Sequence, residues 1–270
     1  MNMLKKSLLM IGLTILSAGI FAQSVVDAGV KYNDANNAFN EKDYAGAIEM
    51  YSEALDIATQ AGPEAEELKG KIEGQLTTSY YKQGVSIYKT DIDGALATLD
   101  RGYAFANELN DTKMVKKFAS TIAQLRTKKG DNLLDEKKLD EAYAEYEMAL
   151  NMQPNYPKTL YGQGMVFKEK GDMDKMTEKM DLVIKFGSDN PKMESFVGAA
   201  KATVSRNYLT QAAEALNGEN YNKASEYIEM SLAYAPFDEG TMDIFNQIAE
   251  QAIEIPEVTE TIQKAKETLN

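Results

Sequence analysis

Two stretches carry carboxylates close enough in sequence to act together. Thr90-Asp91-Ile92-Asp93-Gly94 sets two aspartates around a turn glycine, the beginning of an oxygen-ligand loop for calcium. Such a loop opens on an oxygen ligand and closes on a bidentate glutamate. Here Lys89 stands in the first place and Asp100 in the last, so the segment reads as a plain turn between helices. In the second stretch Asp135, Glu136, Asp140, Glu141 and Glu145 interleave with Lys137 and Lys138. Charges of both signs mixed in this way mark a solvated helix face more readily than an acid–base pair. The chain has no Cys and no His, so thiolate and imidazole metal ligands, a Cys nucleophile and a His base are all missing. No glycine-rich phosphate loop or nucleophile elbow occurs. The expectation from these residues is a non-catalytic protein with no metal and no cofactor.

Composition supports a helical, water-facing molecule. Hydrophobic residues make up 44% of the 270 and charged residues 26%, enough to bury a core and keep a polar surface. Only 6 prolines occur, too few for a disordered or fibrous chain. Residues 1–22 have the layout of a secretory leader. Lys5 and Lys6 precede an apolar run from Leu8 to Phe21, and Ala18, Gly19 and Ala22 supply small residues near a cut after Ala22. The run is shorter than the roughly 20 residues that span a bilayer, and Gly12 and Gly19 interrupt it. The sequence therefore predicts export, to the periplasm or the outside of a bacterial cell, with no membrane insertion once the leader is removed. Loss of both lysines would leave 27 basic residues against 42 acidic, a charge of −15. That surface repels nucleic acid and does not favour an anionic membrane.

The elements that must carry any surface are set by an internal repeat. In residues 130–154, Gly130 is followed by Leu133, then Ala142, Tyr146, Ala149, Leu150 and Pro154. Small residues let two antiparallel helices approach, a large ring fills the space between them, and proline stops the second helix. The second-helix signature recurs as Ala47, Tyr51 and Ala54, and again as Ala224, Ile228, Ser231 and Pro236. Weaker copies stand at Ala95, Leu99 and Gly102 and at Met176, Met180 and Val183, the last preceded by Gly164 and Phe167. This pattern resembles the tetratricopeptide repeat over nearly all of residues 23–270. The resemblance implies an all-α, right-handed α-solenoid of about six antiparallel helix pairs.

Equivalent positions in successive copies are Ala47, Ala95, Ala142, Met176 and Ala224. The step from Ala142 to Met176 has the ordinary length of the repeat, about 34 residues. Each of the other three steps is longer by nearly four helical turns, at about 3.6 residues per turn, which keeps an apolar face pointing the same way. The surplus predicts elongated first helices within 64–89, 111–137 and 191–217. Pairs are expected at about 25–60, 64–109, 111–153, 155–187, 190–235 and 237–269, the last a polar-faced cap. Turns are expected at Glu41-Lys42-Asp43, Thr90-Asp91, Asn110-Asp111, Gly171-Asp172, Asn190-Pro191 and Gly218-Glu219, where Asp or Asn can cap the next helix.

In tetratricopeptide proteins partners lie along the concave surface lined by the first helix of each pair. The resemblance places Tyr32, Asn36 and Phe39 on that face, then Thr127, Asp131 and Leu134, then Lys158, Tyr161, Met165 and Lys168, then Arg206 and Leu209. Aromatics with a few cations suit an extended peptide or a partner helix. The carboxylate-gripping subclass of the family needs cations where Tyr32 and Thr127 stand, so that activity is not implied. The expectation is a scaffold or adaptor that binds a protein or peptide in the bacterial envelope. Carbohydrate binding on exposed tyrosines, and self-assembly into a homo-oligomer, are the alternatives.

Overall fold

The computed structural model describes residues 23–269; the leader expected over 1–22 lies outside them. The described residues form twelve α-helices and no strand. They are α1 (23–40), α2 (Tyr44–Ala61), α3 (Glu66–Ile87), α4 (Ile92–Glu108), α5 (Thr112–Asp135) and α6 (Leu139–Met152). Then come α7 (Pro157–Glu169), α8 (Met173–Gly187), α9 (Glu194–Asn217), α10 (Tyr221–Leu232), α11 (Glu239–Gln251) and α12 (Pro256–Leu269). The all-α class and the helix boundaries agree with the sequence reading. The elongated first helices are there too: α3, α5 and α9 have 22, 24 and 24 residues, while α7, in the pair of ordinary spacing, has 13.

One turn geometry recurs. The residue two places past the helix end takes a positive φ at Lys42, Asn110, Lys137, Gly171 and Glu219. Its N–H and the next N–H then bond back to the last turn, as Lys42 to the Phe39 carbonyl and Asp43 to that of Ala38. These paired bonds satisfy carbonyls that a helix end otherwise leaves open. Except at Lys138, which makes no side-chain cap, the following Asp or Asn caps the next helix: Asp43 accepts from the Gly46 N–H, Asp111 from Met114, Asp172 from Lys175 and Asn220 from Lys223. Asp91 does the same for Gly94 at 2.8 Å, which gives the first aspartate of the apparent calcium loop a capping role. Among the described residues no acidic cluster is arranged to hold a metal ion.

The described residues divide within α5 into two compact units, the first ending at Leu125 and the second beginning at Arg126. In the first, α2 buries Ala47, Tyr51, Ala54, Ala58 and Ala61, a stripe at helical spacing. α3 packs against α2 and also against α4. Gly102 of α4 is a close-approach point, since a Cβ there would lie 2.5 Å from the Phe118 ring and 2.7 Å from Tyr80 Cβ.

In the second unit three apolar clusters follow one another. Ala142, Tyr146 and Val166 form the first. Leu160, Met176, Met180 and Val183 of α7 and α8 gather with Ala200 and Val204 of α9. Leu209, Ala212 and Leu216, from the second half of the same α9, belong instead to the core of α10, α11 and α12, with Ala224, Ile228, Phe245 and Ile248. The surplus turns thus let one helix serve two successive cores. The acidic stretch from Asp135 to Glu145 departs from its expected solvated face at one place. Glu145 is 6% exposed and accepts from Arg126 at 3.2 Å and Lys129 at 2.7 Å, whereas Asp135, Glu136, Asp140 and Glu141 are exposed.

Candidate partner-binding site

In the pairs α3/α4, α5/α6 and α7/α8 the second helix brings a large residue, Leu99, Tyr146 or Met180, down onto a glycine in the first. Tyr146 is fully buried, and a Cβ added at Gly130 would stand 2.6 Å from its ring Cε1. Gly162 of α7 meets the same ring from another helix. Gly164 makes the equivalent slot for Met180, whose methyl would be 2.7 Å from an added Cβ. The tyrosine hydroxyls need partners once buried, and the first helix supplies them. Tyr51 donates to Asn36 Oδ1 at 2.6 Å and Tyr146 to Asp131 Oδ1 at 2.9 Å, at the same sequence separation in both pairs. Burial and the nearby Tyr32 push the Tyr51 hydroxyl up to about 12. Burial pushes Tyr146 higher still, aided by the Asp131 carboxylate.

These packing demands occupy much of the face expected to bind a partner. In the first unit Tyr32 is half-buried with its ring 5.8 Å from that of Tyr51, Asn36 holds the Tyr51 hydroxyl, and Phe39 lies edge-on to Tyr44 at 5.3 Å. In the second unit two expected surface residues lie in the interior. Thr127 is fully buried, its Oγ1 2.7 Å from that of Thr159, because α7 comes close to α5 there. Leu209 is also fully buried, in the core with Ala224, Ile228 and Phe245. Burying a leucine side chain is worth about 2 kcal/mol, so the second half of α9 turns it inward. Asp131 and Lys158 are brought together at 3.1 Å. Leu134 packs beside Ala142 and Tyr146, and Met165 beside Met176 and Met180. Tyr161 lies edge-on to Phe196 at 5.8 Å, Lys168 is exposed, and Arg206 is ion-paired with Asp238.

Smaller cavities of about 430 and 280 Å³ open between α11 and α12 and beside α6, and the surplus turns of α9 carry open surface as well. The loop before α11 meets α9 at Tyr208 through Tyr234, at Lys201 through Ala235 and at Arg206 through Asp238, and a Cβ on Gly240 would come within 3.0 Å of that guanidinium. The turns of α9 ahead of Arg206 keep one face open, with Glu194, Ser195 and Gly198 exposed. Two adjoining cavities of about 530 and 480 Å³ lie there and share Glu194, Val197 and Lys201. Gly198, Ala199 and Ala202 line one cavity with Pro236 and Phe237, and Pro191 with the Gly187–Asn190 turn lines the other. Nothing lies within 4 Å of a Cβ built on Gly198, so the floor is open there. Lys201 lines both cavities, and its ammonium reaches the Ala235 carbonyl at 3.4 Å. Sequence reasoning missed Gly198, Lys201 and Phe237, although the long step from Met176 to Ala224 located the helix that carries the first two. Among the described residues no helix is long and apolar enough to cross a membrane.

A scan against protein-family models and a search of curated proteins each return no match. Solved structures overlap the chain weakly. A MamA RS-1 ArsTM double mutant is 13% identical, with 82% of this chain and 95% of that one covered at a TM-score of 0.32. The P58(IPK) TPR domain is 13% identical, with 90% and 83% covered at a TM-score of 0.29. Both are similar to this chain too distantly to carry a fold or a function across to it.

Proposed function

We propose that the chain is a non-catalytic protein-binding scaffold, exported to the bacterial envelope, and that it holds a peptide segment of its partner in the α9 groove. The observation that carries this reading is the pair of adjoining cavities over the surplus turns of α9. Together they line a stretch of α9 with a small-residue floor, apolar walls at Pro191, Val197 and Phe237, the Lys201 ammonium, and the carboxylates of Asp189, Glu194 and Asp238. A peptide fits such a groove by main-chain proximity to the floor and by side chains in the two cavities. Of the lining residues Phe237 alone is aromatic, which favours a peptide over a stacked sugar.

Gly198→Phe tests it. The side chain has open space in the groove, and replacing a helical glycine does not weaken the helix. The mature chain, cross-linked in envelope extract, identifies a partner whose purified form is then titrated against both versions. The expected result is at least a tenfold weaker Kd for Gly198→Phe at an unchanged or raised Tm. Equal affinities would remove the groove from the function. Cell fractionation of the full chain tests export separately, and accumulation of the uncut form in the cytoplasm would count against it.

A further inference from the structure

Another surface of the second unit shares no lining residue with the α9 groove. Tyr208 of α9 stacks on Tyr227 of α10, with centroids 6.3 Å apart and planes 23° from parallel, and meets Tyr234 at 6.1 Å. The three rings are only half-buried. Tyr227 and Met230 stand at i and i+3 on α10, Tyr234 follows in the turn after it, and Met230 is 39% exposed, so α10 and its closing turn offer rings and a thioether to solvent.

Carboxylates stand beside the rings. Asp174 and Asp181 lie at i and i+7 on α8, both exposed, and Asp181 accepts the Tyr234 hydroxyl at 2.9 Å. Burial raises the Tyr208 hydroxyl above its ordinary range, and the charges of Asp181 and Asp174 raise it further, which places both in its field. The ladder already seats a cation of its own, as Lys223 holds its ammonium over Tyr227 at 4.9 Å from the centroid. Electron-rich faces edged by carboxylates attract cations, and the guanidinium of arginine also stacks flat on a ring. The chain's net charge of −13 adds long-range attraction of the same sign.

We propose that the Tyr227–Tyr208–Tyr234 ladder, with Met230 and the Asp174 and Asp181 carboxylates, is a docking surface for a basic segment of a partner protein. Arginine or lysine side chains lie on the ring faces with their charges toward the two aspartates. The surface goes beyond the groove reading and does not depend on the groove having an occupant.

The test is fluorescence anisotropy of the mature chain with a labelled Arg–Ala repeat peptide, beside a Glu–Ala peptide. The comparison is Asp174→Asn/Asp181→Asn against Glu49→Gln/Asp56→Asn, two exposed acids of α2 that remove the same net charge. Asparagine at 181 still accepts from Tyr234, so folding is preserved. The first pair is expected to weaken the Arg–Ala peptide about fivefold to tenfold, and the α2 pair less than about twofold. Tyr227→Phe keeps the affinity, whereas Tyr227→Leu loses about threefold, because a ring face is what the cation needs. Equal losses from the two acid pairs would mean diffuse attraction to an acidic protein and overturn the proposal, as would failure of the Arg–Ala peptide to bind. The Gly198→Phe variant is expected to bind this peptide like wild type, so either surface can fail without the other.

Discussion

Gly130→Ala places one methyl group where the structure has no room for it. Its Cβ would stand 2.6, 2.8 and 3.0 Å from three atoms of the Tyr146 ring. The ring has no simple retreat, because Gly162 of α7 closes on it as well and its hydroxyl is bonded to Asp131. An extra methyl in a tightly packed core costs about 1–3 kcal/mol, and a clamped ring belongs near the upper end. Replacing glycine within a helix returns about 1 kcal/mol. The net expectation is a loss of about 2 kcal/mol. Gly198→Ala supplies the reference, since its methyl meets nothing and should gain about 1 kcal/mol. Urea unfolding followed by circular dichroism measures both, with the slope checked because repeat arrays depart from two-state behaviour. In a Tyr146→Leu background the smaller side chain leaves the slot open, so Gly130→Ala should cost far less there; that coupling isolates the ring contact. A Gly130→Ala protein as stable as wild type would refute the slot, and a loss unchanged by Tyr146→Leu would assign the cost to something else.

Two further predictions concern turns and protons. Glu219 holds a φ of 57°, a conformation costing about 1 kcal/mol in a residue with a Cβ, so Glu219→Gly should raise thermal stability by about that amount and Gly171→Ala should lower it similarly. No change in Tm for either would show that these turns relax freely. The raised Tyr51 hydroxyl favours its neutral form in the fold, so the linked stability is complete below about pH 10 and is lost as pH rises toward 12. Tyr146 and Tyr234 shift the same way. Tyrosinate absorbance should therefore rise in an early step from exposed rings and a late one that coincides with unfolding, and Tyr51→Phe should shrink the late step. A single titration step without loss of helix would contradict this.

The helix pairs were legible because their signals are local. Gly130 precedes Tyr146 by the same separation at which Gly164 precedes Met180, and in each pair the large side chain meets the small one. The surplus turns in the longer repeat steps likewise located the long helices. What the repeat register could not show was which neighbour each turn of a long helix would meet. It put Leu209 on a surface because an ordinary unit ends its first helix against one partner; α9 passes on into a second core, and Leu209 goes with it. Thr127 was misplaced for a related reason, since its contact with Thr159 depends on how closely α5 and α7 approach. The turn at Gly218-Glu219 was anticipated, yet the glycine keeps φ at −86° and the glutamate takes the left-handed conformation. The paired return bonds of that turn fix which residue it is, and glycine content alone does not.

The division of α9 between two cores also governs how the second unit comes apart. In an ordinary repeat array each pair melts against its neighbour, and cooperativity rests on the interface between them. Here one continuous backbone is the interface: the Ala200–Val204 segment and the Leu209–Leu216 segment cannot lose helix independently without breaking it in the middle. Amide hydrogens along α9 should accordingly exchange in one slow class, while α12, tied to a single core, frays earlier. A long helix at a seam acts as a splice that makes neighbouring modules unfold as one, and any occupant of the groove on that splice stabilises both sides at once.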